Sequence, residues 1–236
     1  MKRLHGLFVT GTDTGVGKTT VSRALLRHAR RSGLTPIPFK PAETGCSPHP
    51  ADAHALWSAA SPPTAQADTC LYTFALPAAP SQAAAAEGAR IDIGRIVAHA
   101  HRLAEAGDFL LVEGAGGLLV PYSDGVTAAD LAAQLELPLL VVARTALGTI
   151  NHTALTLREA ARAGLNIAAV VLNRTTAAAE PHESGNADLI ASLTGHQPLG
   201  PLPWLPEPDA SDPDRLADVL VEAVGEPALA RLLRVS

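Results

Sequence analysis

The stretch GTDTGVGKTT at residues 11–20 follows a short apolar run at residues 4–10 and precedes a segment with helical spacing at residues 19–32. Small residues in such a turn let successive backbone N–H groups point at phosphate oxygens, and the N-terminus of the next helix adds positive potential. Lys18 can then bridge the β and γ phosphates of a nucleoside triphosphate, and the Thr19 hydroxyl can ligate Mg²⁺. The stretch is therefore predicted to be a phosphate-binding loop, or P-loop.

The predicted P-loop departs from the usual pattern at one position. The pattern G-x-x-x-x-G-K-[ST] would place glycine at position 12, whereas this chain has Thr12 there and Gly11 one residue earlier. The preceding apolar run and the following helical segment still supply the required context. A dinucleotide-binding loop would need G-x-G-x-x-G and an acidic residue about 20 positions further on, and neither is present. The sequence thus favours a nucleoside triphosphate as the ligand.

Lysine is rare in this chain. Of the 18 basic residues only Lys2, Lys18 and Lys40 are lysine, and the others are arginine. Arginine presents a planar fork whereas lysine presents a compact point charge, so a site that needs a small ammonium beside an oxyanion favours lysine. Lys18 and Lys40 are therefore candidate functional residues, independently of any motif.

Short apolar runs alternate with segments of helical spacing along the chain, which is typical of βαβ units. We therefore predict an α/β protein with the P-loop NTPase fold, in which a mostly parallel sheet is flanked by helices. The predicted strands are residues 4–10, 35–39, 109–112, 137–143, 167–172 and 199–202. The predicted helices are residues 19–32, 93–106, 128–135, 151–163, 182–193 and 214–224.

The predicted elements form a single domain, residues 1–236, because the composition changes nowhere sharply and no internal repeat is present. A stretch rich in Pro, Ala and Ser at about residues 47–87 interrupts the alternation with weak helical pieces. We interpret it as an insertion that covers one end of the sheet. Gly33, Gly107 and Gly164 each stand between a predicted helix and the next strand, where a left-handed C-cap favours glycine.

Composition excludes several classes of function. With 47% apolar residues the chain can bury a core, and with a net charge of -5 it lacks the positive field that holds a nucleic acid. The longest apolar runs are shorter than the roughly 20 residues that span a bilayer, so we expect no membrane partner. Cys46 and Cys70 are the only cysteines, too few for a disulfide framework, which indicates a cytoplasmic protein.

Two further charged residues are predicted at the same edge of the sheet as the P-loop. Lys40 follows the second predicted strand and Glu113 follows the third, and the carboxyl ends of parallel strands share one edge. Glu113 precedes a glycine-rich turn, which is the position of a carboxylate that holds Mg²⁺ directly or through water. Asp52 is a second candidate ligand, but its place at the start of a short helical segment favours a helix N-cap.

Four blocks of the sequence together resemble the dethiobiotin synthetase family, and the resemblance covers nearly the whole chain. The blocks are GTDTGVGKT at residues 11–19, KP and TG within residues 40–45, VEGAGG at residues 112–117 and LGTINH at residues 147–152. Members of this family are ATP-dependent enzymes of biotin synthesis that carboxylate 7,8-diaminononanoate (7,8-diaminopelargonate) and close its ureido ring. The resemblance implies this activity, with ATP, CO₂ and the diamine as substrates and Mg²⁺ as cofactor.

The resemblance also implies the roles of particular residues. It implies Lys18 and Lys40 as the catalytic lysines and Thr19, Asp52 and Glu113 as the metal ligands, so that it raises Asp52 from N-cap to ligand. The nucleotide-binding residues that it implies are Thr14, Gly15, Val16, Gly17, Lys18, Thr19, Thr20, Asp52, Glu113, Gly114, Ala115, Gly116, Asn173, Arg174, Pro203, Trp204 and Leu205.

For the diamine, the resemblance implies a homodimer with the substrate site near the subunit interface. A helix N-terminus attracts a carboxylate, so the start of the helix predicted at residues 151–163 suits the carboxylate tail of a substrate held by the other subunit. The substrate-binding residues that the resemblance implies are Thr44, Gly148, Thr149, Ile150 and Asn151.

Two other classes of protein share the predicted fold. A nucleotide switch of the partition or cell-division-site ATPase type carries a second lysine early in the loop, where this chain has Asp13. An ATP-dependent amidating enzyme like those of cobalamin synthesis usually carries a further glutamine-hydrolysing domain, for which 236 residues leave no room. Both classes stay as alternatives to the synthetase.

Overall fold

The computed structural model describes residues 3–235. Its strands are β1 (Gly6–Gly11), β2 (Pro36–Thr44), β3 (Cys70–Phe74), β4 (Phe109–Gly117), β5 (Pro121–Ser123), β6 (Val126–Thr127), β7 (Leu139–Arg144), β8 (Ile167–Asn173) and β9 (Leu199–Leu202). Its helices are α1 (Lys18–Arg31), α2 (Ala51–Ala60), α3 (Pro80–Ala86), α4 (Ile93–Ala104), α5 (Ala128–Leu135), α6 (Thr149–Arg162), α7 (Asn186–Thr194), α8 (Pro213–Val224) and α9 (Glu226–Leu232). Within residues 3–235, no helix is both long and apolar enough to cross a bilayer.

Seven strands form one sheet in the order β3-β2-β4-β1-β7-β8-β9, and each neighbouring pair is parallel. The strands β5 and β6 form a separate antiparallel pair. The prediction of a mostly parallel sheet flanked by helices is confirmed. Because β1 lies near the middle of the sheet, the loop that follows it reaches the carboxyl edge between β4 and β7.

The sheet is covered by apolar clusters on both faces. Along β1, Leu7 and Val9 belong to one cluster, which also contains Leu25 of α1 and Leu216 of α8. Phe8 points the other way, into a cluster that includes residues of α4, α5 and α6. Successive side chains of a strand point to opposite faces, so a strand covered on both sides is apolar throughout. This explains why the short apolar runs predicted the strands.

All six predicted strands and all six predicted helices are present, and α5 and β9 agree at both ends. Three strands are longer than predicted: β8 by one residue, and β2 and β4 by four and five residues. β2 pairs with β4 over its first half and then with β3, where Lys40 lies opposite Cys70 and Thr44 lies opposite Phe74. The prediction that Lys40 and Glu113 follow their strands is therefore wrong, because both lie within them.

The Pro- and Ala-rich stretch at residues 47–87 contains more structure than the weak helical pieces predicted. It forms α2, α3 and the edge strand β3. Only Phe74 among the five residues of β3 is buried. A short edge strand with partly exposed residues has no continuous apolar run, so apolar periodicity did not predict it.

The structure confirms two of the three predicted left-handed glycines. Gly33 and Gly164 have φ values of +88° and +69°. Gly107 is not left-handed, so the predicted reason for this glycine is wrong. A Cβ at Gly107 would lie 2.3 Å from the carbonyl oxygen of Thr35. Glycine is required there because the backbone that leads into β4 passes close to the backbone that leads into β2.

Candidate active site

A cleft of about 650 Å³ opens at the carboxyl edge of β1, β2 and β4. Four parts of the chain surround it: the P-loop with the start of α1, the end of β2 with α2, the segment that leads into α3, and the end of β4 with Val120. The residues that line it are Thr14, Gly15, Gly17, Lys18, Thr19, Lys40, Ala42, Glu43, Thr44, Asp52, Pro77, Ala78, Ala79, Pro80, Ala115, Gly116 and Val120. The cleft thus brings together both candidate lysines and about half of the predicted nucleotide-binding residues, and of the predicted substrate-binding residues it includes Thr44.

The P-loop turns from β1 into α1 through Gly17, which has φ of +93° and is the N-cap of the helix. A Cβ at Gly17 would lie 2.1 Å from Nδ2 of Asn173. A Cβ at Gly11 would lie 2.7 Å from the carbonyl oxygen of Asp13. Glycine is therefore favoured at position 11, one residue before its usual place in a P-loop, because the following backbone folds back close to it.

Lys40 lies between two carboxylates at the cleft. Its Nζ donates to Glu113 Oε1 at 2.6 Å and to Asp52 Oδ2 at 2.9 Å. Lys40 and Glu113 are buried, at 3% and 0% exposure. Burial alone would lower the pKa of Lys40, but the two carboxylates outweigh burial and raise it above its ordinary value. Lys40 is therefore held as an ammonium ion.

Lys18 lies close enough to Lys40 for the two charges to act on each other. Burial is the main cause that lowers the pKa of Lys18, and the Lys40 charge lowers it further. Glu113, Asp52 and Asp13 oppose this shift. Two lysines on separate elements therefore converge on one cleft, where an anionic ligand would relieve their repulsion.

The three predicted metal ligands also come together. The Thr19 hydroxyl donates to Glu113 Oε1 at 2.9 Å, the oxygen that Lys40 contacts as well. The other oxygen, Glu113 Oε2, is buried and has no hydrogen-bond partner in residues 3–235. Lys40 lowers the pKa of Asp52 despite the opposing effect of burial. A hydroxyl and two carboxylates, one of which has an unpaired buried oxygen, are the kind of donor set that Mg²⁺ takes.

Asp52 is not the N-cap of α2, so the prediction made from the residues alone is wrong. The N-cap position is Pro50, which offers no side-chain hydrogen bond. Glu43 of β2 takes this role, since its Oε1 accepts from the backbone N–H of Asp52 and its Oε2 from that of Ala53, both at 2.9 Å. Sequence reasoning missed Glu43, because a cap from a separate strand leaves no local pattern.

The turn after Glu113 is held by Tyr122, a second residue that sequence reasoning missed. Tyr122 is fully buried, and its hydroxyl oxygen accepts from the backbone N–H of Ala115 at 2.8 Å. A Cβ at Gly114 would lie 3.0 Å from the Phe8 ring, and Gly116 has φ of +64°. Glycine is needed at these positions for close packing and for the turn.

The predicted nucleotide-binding residues after β8 and β9 lie along the same sheet edge but do not line the cleft. The buried amide of Asn173 donates to the carbonyl oxygen of Val16 at 3.1 Å and so supports the P-loop. Arg174 donates to Glu183 at 3.0 Å. Trp204 is 42% exposed and lies in the loop after β9, between Pro203 and Leu205.

The block predicted to bind a carboxylate, Gly148 to Asn151, also lies outside the cleft lining. The helix α6 begins at Thr149, two residues earlier than predicted, and Gly148 is its N-cap with φ of +93°. Leu147 and Leu155 are large apolar residues with 79% and 56% exposure. Leu147 just before α6 and Leu155 within it are therefore exposed apolar side chains.

Together, the fold and the cleft define a P-loop nucleotide-binding protein. A family model described as "AAA domain" matches residues 5–212. Two solved structures share the fold at low sequence identity. They are MinD cell division protein from Aquifex aeolicus (TM-score 0.58, 13% identity, 98% of this chain and 95% of that one) and a ParA family ATPase from Chlorobium tepidum TLS (TM-score 0.56, 12% identity, 98% and 97%).

Curated relatives are much more similar in sequence. The ATP-dependent dethiobiotin synthetase BioD of Anaeromyxobacter dehalogenans (strain 2CP-C) is 51% identical over 86% of this chain and 92% of its own length. The ATP-dependent dethiobiotin synthetase BioD of Bacillus cereus (strain B4264) is 37% identical over 85% of this chain and 84% of its own length. The chain belongs to the ATP-dependent dethiobiotin synthetase family. It is an ATP-dependent ligase of biotin biosynthesis, which confirms the resemblance and decides against a nucleotide switch.

Proposed function

We propose that the protein carboxylates 7,8-diaminononanoate with CO₂ and closes the ureido ring in an ATP- and Mg²⁺-dependent reaction that gives dethiobiotin, ADP and phosphate. The observation that carries this proposal is the position of Lys40, buried between Glu113 and Asp52 and close to Lys18 in one cleft. A reaction that builds and moves negative charge needs such fixed positive groups more than it needs a protein nucleophile.

The P-loop is the proposed phosphate site. Backbone N–H groups from Thr14 to Thr20 cradle the phosphates, and the Lys18 ammonium lies at the start of α1. The pKa of Lys18 is lowered mainly by burial, and bound phosphate would stabilise its charged form. In this proposal Asn173, Arg174 and the segment Pro203 to Leu205 hold the nucleotide base and its surroundings.

Thr19, Asp52 and Glu113 would hold the magnesium ion. The fit rests on their oxygen donors and on the unpaired, buried Oε2 of Glu113. Bound there, Mg²⁺ would supply positive charge to the phosphate oxygens of ATP. Asp52 and Glu113 serve a second purpose, because both keep the ammonium of Lys40 charged and fixed.

Lys40 is the proposed catalytic residue. One amine of the diamine adds to CO₂ as a carbamate, a carbamate oxygen takes the γ-phosphoryl group of ATP, and the second amine then displaces phosphate from the carbonyl carbon. An ammonium has three N–H donors, of which Glu113 and Asp52 accept two. The third can point at the carbamate or phosphoryl oxygen. Thr44 lines the same cleft and is the proposed contact to the diamine.

The proposed assembly is a homodimer of single-domain subunits, each built from residues 1–236. The start of α6 lies outside the cleft of its own subunit, and the exposed Leu147 and Leu155 flank it. A dimer that buries these leucines would bring Gly148 to Asn151 to the carboxylate tail of a diamine in the partner's cleft. Both cysteines are free, which supports the proposal of a reducing, cytoplasmic environment.

The test is phosphate release from Mg-ATP and bicarbonate with and without the diamine, combined with mass spectrometry of the product. We expect release to require the diamine, which gains the mass of CO₂ less water. The matched control is 7-aminononanoate, which has one amine and cannot close a ring. Phosphate release that does not depend on the diamine, or a diamine of unchanged mass, would refute the proposed substrate.

A further inference from the structure

Glu43 is a buried acid that the proposed reaction does not use directly. It lies on β2, three residues after Lys40, and is 6% exposed. Burial raises its pKa, and the two backbone N–H groups that it accepts oppose this shift. Burying a carboxylate costs free energy, so the contacts that it makes must be the reason for its position.

The Glu43 side chain contacts the start of α2 at Asp52 and Ala53. The first N–H groups of a helix have no partner within the helix, and the carboxylate of Glu43 satisfies those of Asp52 and Ala53. The preceding segment cannot do so, because Pro50 provides no side-chain cap. Glu43 therefore fixes both the start of α2 and the backbone of Asp52.

Packing does little to fix the Asp52 side chain, which is 43% exposed. Glu43 holds the backbone N–H of Asp52, and Lys40 holds the Asp52 side chain through Oδ2. A shift of the start of α2 would therefore move the Asp52 carboxylate away from Lys40. Asp52 thus connects Glu43 to Lys40 through two hydrogen bonds, each 2.9 Å long.

We propose that Glu43 is a positioning residue, which caps α2 from β2 so that Asp52 is held against Lys40 and the phosphate site. This inference rests on the proposed function. A misplacement of about 1 Å at a reacting group costs up to roughly 100-fold in rate. We therefore expect the loss of Glu43 to lower kcat about tenfold, while nucleotide binding in the absence of Mg²⁺ is unchanged.

The first variant is Glu43→Gln, which keeps the size of the side chain. The amide oxygen can accept one N–H, but the amide nitrogen is a donor and faces the second backbone donor. The matched control is Asp130→Asn. Asp130 accepts from the backbone N–H and the hydroxyl of Thr127 at the start of α5, and it does not line the cleft. A residue that only caps a helix would behave like Asp130, with a lower Tm and unchanged kcat.

The decisive experiment is a double-mutant cycle on kcat with Glu43→Gln and Asp52→Asn, measured well below the Tm of each variant. If Glu43 acts through Asp52, the double variant has the same kcat as Asp52→Asn alone. Fold losses that multiply would overturn the inference. Glu43→Asp, which keeps the charge but shortens the reach, replaces Glu43→Gln in the cycle if that variant does not fold.

A binding measurement gives a readout besides activity. Calorimetry of a non-hydrolysable ATP analogue is run with Mg²⁺ and, separately, with EDTA. We expect Glu43→Gln to weaken binding several-fold with Mg²⁺ and to leave binding in EDTA unchanged. Equal weakening in both conditions, or a kcat no lower than that of Asp130→Asn, would overturn the inference. If wild-type protein does not convert the diamine at all, the proposed function fails instead, and the calorimetry still tests Glu43.

Discussion

Replacing Lys40 with arginine tests the proposed mechanism most directly, because it keeps the charge and changes its shape. Lys40 Nζ fits between two carboxylate oxygens at 2.6 and 2.9 Å in a site that is 3% exposed. The planar guanidinium is larger and cannot occupy this point without moving its neighbours. Overpacking of this kind typically costs about 1–3 kcal/mol of stability, which a folded protein can tolerate.

The expected effect on turnover follows from the contacts of Lys40. Removing one fixed donor from a charge-stabilising site lowers kcat by about 100- to 1,000-fold, which is roughly 2.7–4 kcal/mol. Arginine would still pair with Glu113 or Asp52, but it would not aim an N–H at the carbamate or phosphoryl oxygen. We therefore expect Lys40→Arg to lower kcat at least 100-fold.

The assay is steady-state phosphate release with saturating ATP, bicarbonate and diamine, together with calorimetric titration of ATP in the absence of diamine. We expect the dissociation constant for ATP to change less than threefold, because the P-loop and Lys18 lie on other elements. A kcat within threefold of wild type would remove Lys40 from the mechanism. A parallel loss of ATP binding would mean that Lys40 belongs to the phosphate site instead.

Three further variants test the supporting structure. Gly17→Ala places a Cβ at φ of +93° and 2.1 Å from Asn173 Nδ2, so we expect at least tenfold weaker ATP binding by calorimetry. Tyr122→Phe leaves the Ala115 N–H without its acceptor and should cost about 1 kcal/mol in urea unfolding. Burial lowers the pKa of His28, so this residue takes up a proton more readily in the unfolded chain than in the folded protein. Wild-type stability should therefore fall as the pH drops below about 6.5, and the drop should be smaller in His28→Gln.

The parts of the site that the sequence predicts are those with local signals. The P-loop has its glycines, its lysine and its flanking strand and helix within one short stretch, and the structure places them together. Glu113 and Lys40 are predicted at one edge because parallel strands share that edge. That prediction survives although both residues lie within longer strands than expected.

The parts that the sequence does not predict depend on contacts between separate secondary-structure elements. The Glu43 cap joins β2 to a helix that begins after a loop, so no spacing rule for N-caps finds it. Gly107 is required by the backbone at Thr35, more than 70 residues earlier in the chain. Tyr122 likewise supports Ala115 through a side chain on another strand. Each contact is visible only after the elements are placed in space.

The stretch at residues 47–87, which is hardest to interpret from sequence, supplies much of the cleft. It contributes Asp52 from α2 and the wall Pro77 to Pro80, and its strand β3 extends the pairing of β2 past Lys40. Without β3, the end of β2 would be an unpaired edge, and the backbone that carries Lys40, Glu43 and Thr44 would lose its support. The stretch that interrupts the βαβ pattern therefore holds Lys40 and Asp52 in one arrangement, next to Glu113 of β4.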